Sequence, residues 1–327
     1  MRAQVTWRAS FSKSRRAEPD KGGMSVMNLP PPELLLPLDP RYPAGARDLK
    51  DHGPLRVAGE LPTLDRAVAI VGTRRADPEA LDFTTELARE LAEAGCVIVS
   101  GGALGVDAAA HRGALLGGGR TVAVLASGLV KPYPPAHGPL FENISRSGAL
   151  VTEAPDEAVV EGFRFLHRNR LIAALARATI VVQAPKRSGT LSTAAVAEKL
   201  KRPVWVVPAA PWDRRAGGGL ALLHGGARIC TSAGDVLSVI APESREVRSR
   251  SAPSRQNTNN LSKFDDTTRS ALDALGGRGR TVDELCQATG WSAPKALSVL
   301  TGLEMEGWIE GRSGGRYGIV APHRRPK

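Results

Sequence analysis

The stretch Cys96-Val97-Ile98-Val99-Ser100-Gly101-Gly102-Ala103-Leu104-Gly105-Val106-Asp107 decides the fold. It begins as an apolar, β-branched run of strand length, turns glycine-rich, and opens directly into a helical stretch. The same order of strand, small-residue loop and helix repeats on both sides of it, from Arg66 to Ile240. Strands are predicted at Ala67 to Val71, Cys96 to Ser100, Thr121 to Leu125, Ala149 to Thr152, Thr179 to Gln183 and Pro203 to Val207, with helices in the gaps. The first helix is clearly marked: Asp77 caps it, Pro78 takes its first position, Glu79 suits its positive end, and Gly95 follows its last turn. This alternation is that of a doubly wound α/β domain with a mainly parallel sheet.

Outward from this block the composition changes. Residues 1–23 carry six basic side chains against Glu18 and Asp20 with no apolar run behind them, which excludes a secretory signal. They read as a disordered extension, or as the result of a start placed ahead of Met24 and Met27; the prolines between Leu29 and Pro43 then lead, as extended chain, into a domain at 41–240. Residues 241–263, rich in Ser, Arg, Asn and Pro, read as a flexible linker. Beyond it, 264–320 shows a helix from Asp265 to Leu275, a second opened by Thr281 with Glu284 at capping-box spacing, a third from Ser292 to Glu306, and a hairpin turning at Arg312 to Gly315. Three helices and a two-stranded wing make a small winged-helix domain, followed by a basic tail at 321–327.

The whole chain has 327 residues, 42% hydrophobic and 24% charged, so a disordered chain is excluded, and no apolar run reaches the roughly 18 residues of a membrane span. Cys96, Cys230 and Cys286 lie far apart without partners at ligand spacing, which argues against a disulfide framework or a metal site and suits a reducing cytoplasm. A formal charge of +11 points toward a polyanion.

In an open α/β sheet, ligands bind where loops leave the carboxyl ends of the strands. Three such loops are built of small residues: Gly72-Thr73-Arg74-Arg75, Ser100 to Asp107, and Pro185-Lys186-Arg187-Ser188-Gly189-Thr190. Each offers backbone amides to an anion, and two carry adjacent cations. The sequence contains neither GxxxxGK[ST] nor, after the first strand, GxGxxG, which disfavours an ATP engine or a dinucleotide cofactor. Charge is uneven: five basic residues face twelve acidic ones between Ala76 and Glu161, whereas nine face only Glu198 between Gly162 and Arg202. That places the basicity around the third loop, with Arg168-Asn169-Arg170 read as a helix start addressing phosphates. Aromatic residues are only 4% of the chain, so a nucleic acid is expected to be held by its backbone, with weak sequence preference and strong salt dependence.

Five ordered motifs carry a family resemblance. They are Val71-Gly72-Thr73-Arg74; Ser100 to Asp107 with Ala110-His111-Arg112-Gly113-Ala114-Leu115; Ser127-Gly128-Leu129 with Tyr133-Pro134; Phe165-Leu166-His167-Arg168-Asn169-Arg170-Leu171-Ile172; and Ser188-Gly189-Thr190-Leu191-Ser192-Thr193-Ala194. Together they resemble the DNA processing protein A (DprA/Smf) family over roughly residues 40 to 240. The resemblance implies an extended Rossmann-like domain and a non-enzymatic, cofactor-free homodimer that binds and protects single-stranded DNA and loads RecA recombinase during natural transformation. It makes Arg74 a phosphate clamp, Gly101 and Gly102 a backbone cradle, Arg168, Asn169 and Arg170 a basic motif and Ser188, Gly189 and Thr190 a second cradle; Arg75, Ser100 and Lys186, from the loop reading, complete the expected DNA-binding set. Asp107 and His111 shape the pocket. The chain departs from the family at Leu166 (usually Pro), Gln183 (Glu), Ala126 (Gly) and His137 (Asn), and its leader is too short and Pro-rich for the sterile-alpha-motif domain that many members carry.

The rival from another class is a nucleoside-monophosphate phosphoribohydrolase of the lysine-decarboxylase-like group. Ser188 to Thr193 has Ser and Thr where that chemistry needs carboxylates. In the winged helix, six basic residues meet eight acidic ones between Asp265 and Val320, and the third helix offers only Lys295 to a groove. This domain is expected to bind protein rather than duplex DNA.

Overall fold

The computed structural model describes residues 27–240, 266–275, 279–312 and 315–320, in two units that divide between Val247 and Arg248. The first unit opens with β1 (Glu33–Leu35), α1 (Ala44–Arg47), β2 (Leu55–Gly59), β3 (Ala67–Gly72), α2 (Pro78–Glu93), β4 (Val97–Ser100) and α3 (Val106–Leu116). It continues through β5 (Thr121–Val124), α4 (Gly138–Ser147), β6 (Ala149–Thr152), α5 (Gly162–Leu175), β7 (Ala178–Val182) and α6 (Gly189–Lys199). It closes with β8 (Val204–Val206), α7 (Gly217–His224), β9 (Arg228–Ile229) and α8 (Ala233–Ile240).

Nine strands form one sheet in the order β1-β2-β6-β5-β4-β3-β7-β8-β9, parallel from β6 to β9. The chain walks outward from β3 to β6, then crosses back to β7, so the order reverses between β3 and β7. Strands covered on both faces must be apolar at every position. Residues 67–71 of β3 and all of β7 are buried. Ala67, Ala69 and Val71 pack with α5 and α6 on one face; Val68 and Ile70 pack with α2, α3 and α8 on the other. Asp77 caps α2 as expected, its Oδ1 accepting from the Ala80 amide at 2.8 Å.

The six predicted strands stand within a residue or so of their expected bounds. Three more do not come from the alternation. β2 runs antiparallel beside β6 and carries β1 on its outer edge. The folded domain therefore starts earlier than residue 41: Glu33–Leu35 is strand, and Leu35 is buried in the core. Prolines 30–32 are compatible with this because an edge strand leaves one row of amides unpaired.

The second unit contains α9 (Asp266–Leu275), β10 (Arg280–Thr281), α10 (Val282–Thr289), α11 (Ala293–Met305), β11 (Ile309–Arg312) and β12 (Arg316–Ile319), its sheet ordered β10-β12-β11. The capping box is present: Glu284 N meets Thr281 Oγ1 at 3.2 Å and Thr281 N meets Glu284 Oε2 at 3.1 Å. Leu272, Leu275, Leu285, Leu300, Leu303 and Ile309 form its core. This is a winged-helix arrangement. The extension as far as residue 26, the linker at 241–263, the tip of the wing at 313–314 and the tail at 321–327 lie outside the described residues.

Candidate functional site

The small-residue loops lie side by side along the carboxyl edge of the sheet. Neighbouring strands stand about 4.8 Å apart, so the row from β7 through β3, β4 and β5 to β6 spans about 19 Å. Three hydrogen bonds tie the loops together. Thr73 N donates to Gln183 O (3.1 Å), Val106 N to Thr73 O (3.2 Å), and Thr190 Oγ1 to Gly72 O (3.1 Å).

The loop after β4 is held from beneath. Arg168 Nη1 donates to the carbonyl of Gly101 and, at 2.7 Å, to that of Val124. His137 Nδ1 donates to the carbonyl of Gly102 at 2.9 Å. Asp107 Oδ2 accepts from Ala103 N at 3.3 Å, and Ser100 Oγ donates to Ile70 O at 2.6 Å. Any side chain at Gly101 would overlap the Arg168 guanidinium, and Gly105 (φ +79°) backs onto the Thr73 carbonyl. With the two carbonyls engaged, the amides of Gly102 and Leu104 find no backbone acceptor among the described residues.

Of the expected DNA contacts, Arg74, Arg75 and Lys186 are exposed and carry no ion pair among the described residues; Arg187 is the same. Arg74 lies over the Phe165 ring, 4.6 Å from its centroid, and Phe165 meets Tyr133 edge-on at 6.3 Å. The Arg168-Asn169-Arg170 reading needs correction. α5 begins at Gly162, not at Arg168, so these residues sit at the end of its second turn and the start of its third, against the core. Arg168 is 7% exposed. Asn169 Nδ2 holds Gly189 O (3.0 Å) and Ser192 Oγ (2.9 Å), and Arg170 Nη2 grips both oxygens of Glu153 at 2.8 and 2.9 Å.

The third loop is built as a helix cap. Ser188 Oγ accepts from Thr190 N at 3.2 Å, and Thr190 is buried, while Gly189 remains at the surface. Nor is the basicity gathered in one place. Arg177, Lys199, Lys201 and Arg202 precede β7 and β8 and so belong to the opposite, amino edge. Arg202 there binds the last carbonyls of α5, including Ala173 O (2.8 Å) and Ala176 O (2.6 Å).

Asp107 and His111 are buried under the loop. Burial pushes the Asp107 carboxyl up, with Arg168 pulling the other way. Thr121 Oγ1 spends its proton on Ile98 O (2.8 Å), so His111 Nδ1 is the donor in its 2.7 Å contact with Thr121. His111 is pushed down to about 3 by burial, with His137 and Arg168 adding to the effect. The unfolded chain binds that proton near pH 6.5 and the folded chain does not. Stability present above pH 6.5 is therefore lost as pH falls toward 3, by at most about 1.4 kcal/mol per pH unit. His111→Leu is expected to remove this slope. Between pH 7 and pH 5, denaturant unfolding of the wild type is expected to lose about 2 kcal/mol more than that of the variant; parallel curves would show that His111 does not titrate this way.

Sequence reasoning missed Phe165 and Tyr133 as ring partners, His137 as a loop support, and Trp212, which is 85% exposed beyond β8 at the same edge. Correct placement of the start of α5 identifies Phe165, one helical turn before Arg168. A cleft of about 170 Å³ also opens between α5 and the ends of β5 and β6, lined in part by Leu125, Thr152, Glu153, Phe163 and Arg168. No group of three or more His, Cys, Asp or Glu among the described residues is placed to hold a metal.

A family model described as DNA recombination-mediator protein A matches residues 33–241, and one described as DprA winged helix domain matches 250–315. A Mycobacterium tuberculosis protein is 40% identical over 80% of this chain, which spans 66% of that relative, just under two thirds. The chain is 34% identical to the DNA processing protein DprA of Bacillus subtilis, covering 67% of it, and 31% identical to the Smf protein of Escherichia coli, covering 74%. Among solved structures, DNA processing protein A of Streptococcus pneumoniae superposes with TM-score 0.60 at 33% identity, over 65% of this chain and 75% of that one. The Helicobacter pylori protein, described by its single-stranded DNA binding mode, gives TM-score 0.57 at 32% identity, over 68% of this chain and 98% of that one.

Proposed function

Because this chain belongs to the DNA recombination-mediator protein A family, we propose that it binds single-stranded DNA along the carboxyl edge of its sheet, protects it, and loads a RecA-type recombinase onto it. The observation that carries this reading is Arg74: exposed, without a carboxylate partner among the described residues, and stacked on Phe165 beside the loop after β4. A guanidinium so placed grips a phosphate while the neighbouring rings offer a face to a base. Arg75, Lys186 and Arg187 extend the track, and the loop amides donate to a further phosphate oxygen. Backbone contacts of this kind carry no sequence information. Pairing of two copies, as the resemblance implies, doubles the track on one strand.

The winged helix fits a protein partner better than a groove. On α11, Leu297 and Met305 are exposed, the latter at 84%, and the basic Lys295 is already over the Trp291 ring at 4.9 Å. No helix among the described residues is long and apolar enough to cross a membrane.

The test is a salt series with a labelled single strand and its duplex. The expected result is preference for the single strand, affinity falling steeply with salt, and most of that affinity kept when 261–327 are deleted. Equal or absent binding to both forms overturns the reading. Release of free base from a nucleoside monophosphate would establish the phosphoribohydrolase in its place.

A further inference from the structure

The cleft beside α5 lies at the β6 end of the same edge, and Arg168 is a wall common to it and to the loop after β4. We propose that this cleft is a subsite for one unstacked nucleobase of the bound strand, taken through a carbonyl-bearing edge; the proposal rests on the single-strand reading above.

Its floor, Val124, Leu125, Ala126 and Leu171, is apolar and suits the face of a ring. Phe163, 62% exposed, stands at the rim as a second face. The polar chemistry is one-sided. Arg168 Nε is buried and has no hydrogen-bond partner, a rare condition for a donor. Arg164 Nε is also buried, 3.3 Å from Glu161 Oε2 but without hydrogen-bond geometry. The one carboxylate in the lining, Glu153, is already engaged by Arg170 at 2.8 Å and by His167 at 3.3 Å. Donors are therefore spare and acceptors are not, so the ligand must bring acceptors. Thymine, cytosine and guanine bring carbonyl oxygens, whereas adenine offers only ring-nitrogen acceptors. A phosphate also brings acceptors, but an apolar floor penalises its burial.

The experiment titrates the full-length protein with homopolymers of thymidine and of deoxyadenosine and with an abasic strand of the same length. Wild type is expected to bind the thymidine strand about tenfold more tightly than the abasic one, and more tightly than the deoxyadenosine strand. Stacking on Phe165 alone favours the larger purine ring, so a thymidine preference reports the donors. Phe163→Ala and Arg164→Met, at exposed and half-buried positions of α5, are each expected to cut the thymidine-to-abasic ratio about threefold. A ratio that neither variant moves, or an equal loss on all three strands, overturns the subsite, and if Arg74→Ala still weakens binding the single-strand reading survives. If no strand binds at all, both fall together.

Discussion

Arg168→Met is expected to lower thermal stability sharply and to weaken single-strand binding without changing its salt dependence. Removal of the guanidinium takes the donor from the carbonyls of Gly101 and Val124 and removes a charge that offsets the burial of Asp107. Each buried carbonyl left without its donor costs about 1–3 kcal/mol, and two of them correspond, for a domain of this size, to a melting shift of roughly 10 °C. Affinity falls because the Gly101 carbonyl is freed and the loop amides lose their fixed direction. Those amides are neutral and release no counterions, so the slope of log K against log salt is expected to stay at its wild-type value. A side chain gripping phosphate directly would behave differently: its loss would reduce the slope by about 0.7 with little change in melting. That outcome would return Arg168 to the DNA-contact role that its sequence neighbourhood suggested.

Arg74→Ala is expected to do the reverse. The side chain is exposed and its one described partner is the Phe165 ring, so melting should move little. A charge-assisted hydrogen bond to phosphate is worth about 2 kcal/mol, or about thirtyfold in affinity, and its loss should reduce the salt slope by about 0.7. Arg74→Lys should restore the slope but not the full affinity, because an ammonium keeps the charge and loses the planar fork and the stacking. Unchanged affinity in Arg74→Ala would remove the observation on which the proposed function stands.

The parallel strands were legible because both of their faces are buried. Runs such as Ala67 to Val71 and Ala178 to Val182 have no polar position to blur them. β1 and β2 were less so: edge and antiparallel strands bury one face, and Leu55 and Val57 alternate with Arg56 in a segment flanked by proline. The candidate site was half legible. Small residues at strand ends marked the loops correctly, since only they allow contacts as close as that of Gly101 with Arg168. What a one-dimensional reading lacked was direction. Placing the start of α5 at Arg168 rather than Gly162 made two inward guanidiniums, Arg168 and Arg170, look like surface cations. The count of nine basic residues likewise merged two opposite edges of the sheet, because a residue that precedes a strand and one that follows it are neighbours in sequence and stand at opposite ends in space.

The margins of the nine-stranded sheet have a consequence for behaviour at high occupancy. β1 is three residues long and β9 two, and each contributes a charged residue, Glu33 and Arg228. Glu33 is further covered by Arg41 at 2.8 Å. Copies in series on a single strand, as proposed above, would meet at millimolar local density, where a long bare strand would template fibril growth from chain to chain. Margins this short give a neighbour almost no ladder to extend.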